Sequence, residues 1–308
     1  MSARRLPSRV TVVEVGPRDG LQHEAVTLTV DERVAFCDRL VAAGLPVVEV
    51  GAFVSPKWVP QMAASDAVLR RVRKPDGVRL PVLVPNRAGF ERARAAGARE
   101  IAVFTAASES FSRRNTNASI DESFERFAAF VPEARREGLR VRGYLSTAFG
   151  CPYEGRVDPA RTILVARRLV EAGCDEVSIG DTIGVAVPTQ VSELIGRLTE
   201  TVAADRVAVH FHDTRGTALA NVLAALQQGV AVVDSAAGGS GGCPYAPGAS
   251  GNLATEDLVY MLHGMGIETG VDLAAVAEAS RALGARLGRT LPSRYLQAGP
   301  PAGPGAGS

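Results

Sequence analysis

Aromatic side chains make up only 5% of this 308-residue chain, and no basic run is interleaved with them, so nothing supports a nucleic-acid surface. An excess of one charge is also missing. Lys and Arg number 34 against 33 Asp and Glu, and a net charge of +1 gives no general pull toward nucleic acid or membrane. No stretch reaches the ~18 uncharged apolar residues of a membrane span. The opening Met1-Ser-Ala-Arg-Arg-Leu-Pro7 lacks the apolar core of a secretory signal. Cysteine is limited to Cys37, Cys151, Cys174 and Cys243, with no Cys-x-x-Cys pair, which argues for reduced thiols in a cytoplasm and against a disulfide framework. Histidine is rarer than any absence would suggest it matters: four residues, two of them at 210 and 212.

What is present is the composition of a globular protein, 46% hydrophobic and 22% charged, long enough to bury a sizeable core. One unit repeats along it: an apolar β-branched run, a polar loop, a helical pattern, and a Gly that restarts the cycle. The runs are Val10–Val15, Pro46–Val50, Arg79–Val84, Glu100–Thr105, Arg140–Ser146, Glu176–Gly180, Val207–His212 and Ala231–Ser235. Helix starts are marked by a capping box at Thr29/Glu32 and by Asp158-Pro159, and stops by Ala43-Gly44 and Ala172-Gly173. Most runs are too apolar to have a wet face, which predicts a parallel sheet covered by helices.

Eight such units in under ~270 residues predict an α/β fold of the (β/α)8 TIM-barrel type, with an extra C-terminal helix over Leu273–Leu287 that packs on the barrel or on a partner subunit. A doubly wound sheet would call for Gly-x-Gly-x-x-Gly after the first strand, and Gly16-Pro-Arg-Asp-Gly20 does not fit. The expected layout is a flexible N-terminus over 1–9, a single barrel domain over 10–297, and a disordered Gly/Pro/Ala/Ser tail over 298–308.

In a barrel, chemistry collects where the strands end. Those places hold Arg18, Asp19 and Gln22 after strand one, Glu49 on strand two, and Ser108–Asn117 after strand four. Strand six carries Ser178 and Asp181, strand seven His210 and His212, and strand eight leads into the glycine-rich stretch Gly238–Asn252. His210 and His212, two apart on a strand, face the same way. Hydrogen-bonded structural histidines are one reading of the pair, and convergence with Asp19 and Asn252 on one mouth favours a metal instead. One carboxylate, two imidazoles and an amide oxygen suit a divalent ion such as Mg²⁺ or Mn²⁺ and leave two octahedral positions for a bidentate substrate. Arg18 could neutralise an anionic intermediate or simply pair with Asp19. The glycine-rich stretch lacks the Gly-Lys-Ser/Thr ending of a nucleotide loop and reads as a flap that delivers Cys243, a proton donor or acceptor or else an inert thiol. Cys37 and Cys174 read as packing residues, Cys151 stays open, and His23 and His263 read as structural or surface residues.

Four blocks are specific enough to name a family. Val15-Gly-Pro-Arg-Asp-Gly-Leu-Gln22, Phe53-Val-Ser-Pro-Lys-Trp-Val-Pro-Gln-Met62, His210-Phe-His-Asp-Thr-Arg-Gly216 and the run Gly241 to Asp257 resemble hydroxymethylglutaryl-CoA lyase, and the likeness runs from about Val12 to Leu262. The resemblance implies cleavage of 3-hydroxy-3-methylglutaryl-CoA to acetyl-CoA and acetoacetate with Mg²⁺ or Mn²⁺. It implies Asp19, His210, His212 and Asn252 as metal ligands, Arg18 as a stabiliser of the thioester enolate, and Cys243 in proton transfer. Either Asp19 or His210 would take the hydroxyl proton, and His210 is the alternative donor to the enolate. Glu49 and Asp181 match acidic positions beside the catalytic centre. Asn115 matches a CoA-associated position, and Gln22 and Ser178 join it and Arg18 as expected substrate contacts. A homodimer acting on an acyl-CoA in the cytoplasm is the expected setting. Three rivals stand beside it: a lyase for a longer 3-hydroxyglutaryl-CoA thioester, a Claisen-condensing synthase of the same superfamily, and a barrel that binds metal or CoA without turnover.

Overall fold

The computed structural model describes residues 6–242 and 251–299. The strands in chain order are β1 (Thr11–Glu14), β2 (Val47–Val48), β3 (Gly51–Ala52), β4 (Val82–Leu83), β5 (Glu100–Ala106), β6 (Arg140–Ser146), β7 (Gly150–Cys151), β8 (Gly155–Arg156), β9 (Glu176–Asp181), β10 (Val207–Phe211) and β11 (Val232–Ser235). All but the β7–β8 hairpin join one parallel sheet in the order β2-β1-β11-β10-β9-β6-β5-β4-β3. Because β2 and β3 are halves of one strand, the sheet closes on itself. The first half pairs β1 and the second pairs β4, so the ring has eight strands and no free edge. This is the predicted (β/α)8 barrel.

The second strand differs from the prediction: it is broken at Glu49-Val50 and runs on to Ala52. The amide of Glu49 turns to Glu14 on one side, while Val50 donates to Pro81 on the other. Pro81 has no N–H to return, which also shortens the third strand to Val82–Leu83. The helix starts follow the sequence. Thr29 Oγ1 accepts from Glu32 N and Glu32 Oε2 accepts from Thr29 N, and Asp158 caps Pro159–Glu171; such caps contribute about 1 kcal/mol each. The helix Leu273–Leu287 packs on Val30–Ala42 and on the turn Ala237–Gly239, so it belongs to the barrel. At the start of the described chain, Ser8 and Val10 are hydrogen-bonded to Glu268, which ties down part of the segment expected to be flexible.

The barrel wall is apolar toward the helices, with Phe211 packed on Phe149, but the inside is not. Arg142, fully buried, is flanked by Glu176 and Asp234. An unpaired charge there would cost several kcal/mol, so the three residues fold as one unit. Among the described residues no helix is long and apolar enough to cross a membrane.

Two further buried acids form no ion pair among the described residues and fasten loops instead. Glu14 accepts from the amides of Gly16 and Ala237 and from the Thr255 hydroxyl; Glu256 accepts from the Gly238 amide and from Ser280. Burial pushes their carboxyls up, to about 7 and about 8. An acid raised on folding contributes stability at low pH that is lost as pH climbs through the folded value. The loss begins at the ordinary carboxyl value of 4.5 and is complete at the raised values, so the thermal unfolding midpoint is expected to fall between about pH 4.5 and 8, by about 2–4 °C for each kcal/mol lost, and Glu256→Gln is expected to flatten that fall. A midpoint that rises over this range, or an unchanged slope in the variant, would contradict the assignment.

Candidate active site

After β1 the chain makes one widened turn, Gly16–Gly20, in which the amides of Asp19 and Gly20 both reach the Val15 carbonyl, at 2.7 and 3.2 Å. A Cβ at Gly16 would lie 2.5 Å from Glu14 Oε1, so only glycine lets the turn sit on that carboxylate. The turn aims Arg18 and Asp19 into the barrel mouth. Arg18 Nε donates to Glu49 Oε2 at 2.6 Å and Nη1 to Asp19 Oδ1 at 2.5 Å, with the guanidinium over the Tyr144 ring. Burial works against the charge of Arg18, and Glu49 and Asp19 outweigh it and hold the group protonated. Burial likewise opposes ionisation of Asp19, but Arg18, His210 and His212 hold its carboxyl well below the usual range.

His210 on β10 and His212, the residue just past its end, have ring centroids 5.3 Å apart. One ligand atom from each of Asp19, His210 and His212 lies within 4.8 Å of the others. Burial, reinforced by His210, pushes His212 down to about 3, so its imidazole is neutral and free to ligate at ordinary pH. Asn252 reaches the same point because residues 251–254 run between the ends of β10 and β11. His212 bridges to Asn252, Asp213 N donates to Gly251 O, and Ala236 N donates to Leu253 O. Asn252 Nδ2 donates to Asp19 Oδ2 at 3.1 Å. Among the described residues, Asn252 Oδ1 and His212 Nδ1 are buried and have no hydrogen-bond partner. One ionised carboxylate, two imidazoles and an unpartnered amide oxygen fit a divalent cation. Ligation through Oδ1 would require the Asn252 amide to turn over toward Asp19.

Arg18, Asp19, His210 and His212 form the floor of a cleft of about 780 Å³. Of the other sequence-predicted residues, Gln22, Asn115 and Ser178 line it. Asn252 touches Asp19 from behind that lining, and Glu49 and Asp181 do not line the cleft either. Glu49 stands behind Arg18, and Asp181 accepts from the amides of Val185 and Ala186, shaping its own loop. Each thus stands one layer behind the cleft wall, Glu49 holding Arg18 and Asp181 holding the loop that follows it. Cys243 lies outside the described residues. The glycines leading to it are in place: Gly242 lines the cleft, and a Cβ at Gly241 would lie 3.0 Å from Asn252 Nδ2.

His23, read as structural, also lines the cleft and contacts Gln22 at 2.9 Å. His263 is structural as expected, bonded to Thr269. Cys37 and Cys174 are buried, with thiols pushed up to about 12 by burial, and Cys151 is buried against Ser108. Arg113 and Arg114 line the cleft from within the predicted Ser108–Asn117 stretch; sequence reasoning missed Tyr144 on the wall, Arg126, and Trp58, which is 87% exposed at the rim. It also passed over Arg142 and Asp234, whose signal was a charge inside an apolar run.

A family model described as HMGL-like matches residues 9–283. The mitochondrial hydroxymethylglutaryl-CoA lyase of Rattus norvegicus is 54% identical over 293 residues, 95% of this chain and 90% of the relative. The hydroxymethylglutaryl-CoA lyase of Pseudomonas mevalonii is 55% identical over 285 residues, 92% of this chain and 95% of the relative. Among solved structures, the hydroxymethylglutaryl-CoA lyase of Pseudomonas aeruginosa superposes with a TM-score of 0.93 at 51% identity, covering 95% of this chain and 98% of that one. An HMG-CoA lyase from Acinetobacter baumannii in complex with coenzyme A and 3-methylmalate gives 0.92 at 35% identity over 96% of both chains. With the matching barrel, the match over most of its length and the site on the page, the chain belongs to the HMGL-like family of hydroxymethylglutaryl-CoA lyases.

Proposed function

We propose that this chain cleaves 3-hydroxy-3-methylglutaryl-CoA between C2 and C3, releasing acetyl-CoA and acetoacetate. The observation that carries the reading is the Asp19, His210 and His212 cluster on the floor of the cleft, with Arg18 locked beside it. In the reaction the 3-hydroxyl loses its proton and its oxygen becomes the ketone oxygen of acetoacetate. The electrons of the broken C2–C3 bond pass to the thioester as an enolate, which takes a proton at C2.

Mg²⁺ or Mn²⁺ held by Asp19, His210, His212 and Asn252 would supply the charge that acidifies the hydroxyl and orients the substrate. Asp19 or His210 takes the proton. Arg18, kept charged and fixed by Glu49, faces the developing oxyanion as a preorganised donor. Cys243 or His210 returns a proton to C2. The CoA moiety carries phosphate charge, and Arg113, Arg114 and Arg126 beside Asn115 give the rim the fork donors that phosphate selects. Gln22 and Ser178 complete the wall. In this reading the enzyme is a cytoplasmic homodimer, and sedimentation velocity of the purified chain decides the assembly.

Chelator-stripped protein is expected to release acetoacetate only when Mg²⁺ or Mn²⁺ is restored. Turnover of a longer 3-hydroxyglutaryl-CoA thioester alone would replace the substrate, and CoA binding with no turnover of any thioester would leave a binding barrel. Arg18→Gln is expected to lower kcat by about 10²–10³-fold with KM little changed, the loss typical of one oxyanion donor. Cys243→Ala should likewise reduce turnover more than affinity. A large rise in KM with kcat intact would contradict both roles.

A further inference from the structure

His210 has a second nitrogen that the chemistry above does not use. Its Nδ1 is buried and makes no completed hydrogen bond among the described residues, and the oxygen facing it is Asp234 Oδ2, 3.4 Å away. The two residues are direct partners in the β10–β11 register, so the backbone itself sets them side by side. Asp234 is held from its other sides. Arg142 Nη2 donates to Oδ1 at 2.6 Å, Arg142 Nη1 to Oδ2 at 3.2 Å, and Ser178 Oγ to Oδ2 at 2.9 Å. Arg142 is fixed in turn by Glu176 Oε1 at 2.7 Å and the Tyr144 hydroxyl at 3.0 Å. Arg142, Ser178 and Asp234 are at most 1% exposed. Burial alone would raise the Asp234 carboxyl, and Arg142 overrides it and keeps the group ionised.

We propose that Asp234 is a positioning residue for His210. It accepts a hydrogen bond from Nδ1–H, selects the tautomer in which Nε2 carries the lone pair, and fixes the ring so that Nε2 serves the metal-binding cluster. The 3.4 Å separation is longer than a formed N–H···O bond, and such contacts commonly tighten when a site is loaded. A carboxylate behind a ligating imidazole raises its basicity and orients it, and losing one typically weakens metal binding about 10–100-fold. Glu176 and Tyr144 act one step further back, by holding the arginine that holds Asp234. Among the described residues His212 has no counterpart, since its Nδ1 is a buried atom with no partner there.

The competing explanation is that Asp234 only neutralises Arg142. Long-range ¹H–¹⁵N NMR separates the two on metal-free wild-type protein at pH 8, and with four histidines in the chain the assignment is short. The expected result is the Nδ1–H tautomer at His210; the Nε2–H tautomer would overturn the proposal. In Asp234→Asn, Mn²⁺ affinity read by EPR is expected to fall about 10–100-fold, and Ser178→Ala, which leaves every charge in place, should weaken it less but in the same direction. Wild-type affinity and tautomer in Asp234→Asn would also overturn it. If Asp234→Asn does not fold because Arg142 is left unpaired, the wild-type tautomer and Ser178→Ala still decide. The inference rests on His210 being a ligand. Should Mn²⁺ fail to bind the wild type, the metal assignment falls, while the metal-free tautomer still reports on Asp234.

Discussion

Two guanidinium groups, Arg18 and Arg142, are taken out of water inside this barrel, and most of the polar residues near them are arranged to neutralise one or the other. A buried arginine cannot shed its proton to relieve the cost, so each needs carboxylates within reach of its fork. Arg18 takes Glu49 and Asp19; Arg142 takes Glu176 and Asp234. Asp19 and Asp234 each have a second face, and on that face each meets the histidine pair: Asp19 in the three-residue cluster, Asp234 behind His210. The electrostatics of folding thus leave two ionised carboxylates poised around two imidazoles without any group being buried for chemistry alone.

The second requirement is that three separate segments meet there. The turn Gly16–Gly20 is far in sequence from Ala237, which leads into the glycine-rich stretch, and from residues 251–254 at its other end, yet Glu14 touches all three neighbourhoods through Gly16, Ala237 and Thr255. Glu256 adds Gly238 and ties it to the helix Leu273–Leu287 through Ser280. Carboxylates used this way are costly to ionise, which links the placement of the site to the pH dependence of the fold. The C-terminal helix therefore supports the mouth as well as covering apolar wall.

Much of this was legible in the chain. Eight β-branched runs with helix caps between them specify a barrel because each run must bury both faces, and a barrel assigns every strand end to one mouth. That rule brings His210 and His212 together with Asp19 from almost two hundred residues away. What was not legible has physical reasons. The break at Glu49-Val50 comes from two neighbours claiming the backbone of one strand, which periodicity does not encode. The β7–β8 hairpin is two residues a side, below any pattern. Asp181 reads as a mouth carboxylate by position, but its rotamer serves the amides of Val185 and Ala186. Arg142 and Asp234 look like defects in apolar runs until closure of the barrel shows that they face each other.

The central claim is that His210 and His212 share one divalent ion with Asp19. Pulsed EPR of the Mn²⁺-loaded full chain tests it most directly. The account predicts hyperfine couplings from two inequivalent imidazole nitrogens, one of which disappears in His212→Ala. A spectrum with coupling to water protons alone, identical in wild type and variant, would contradict it.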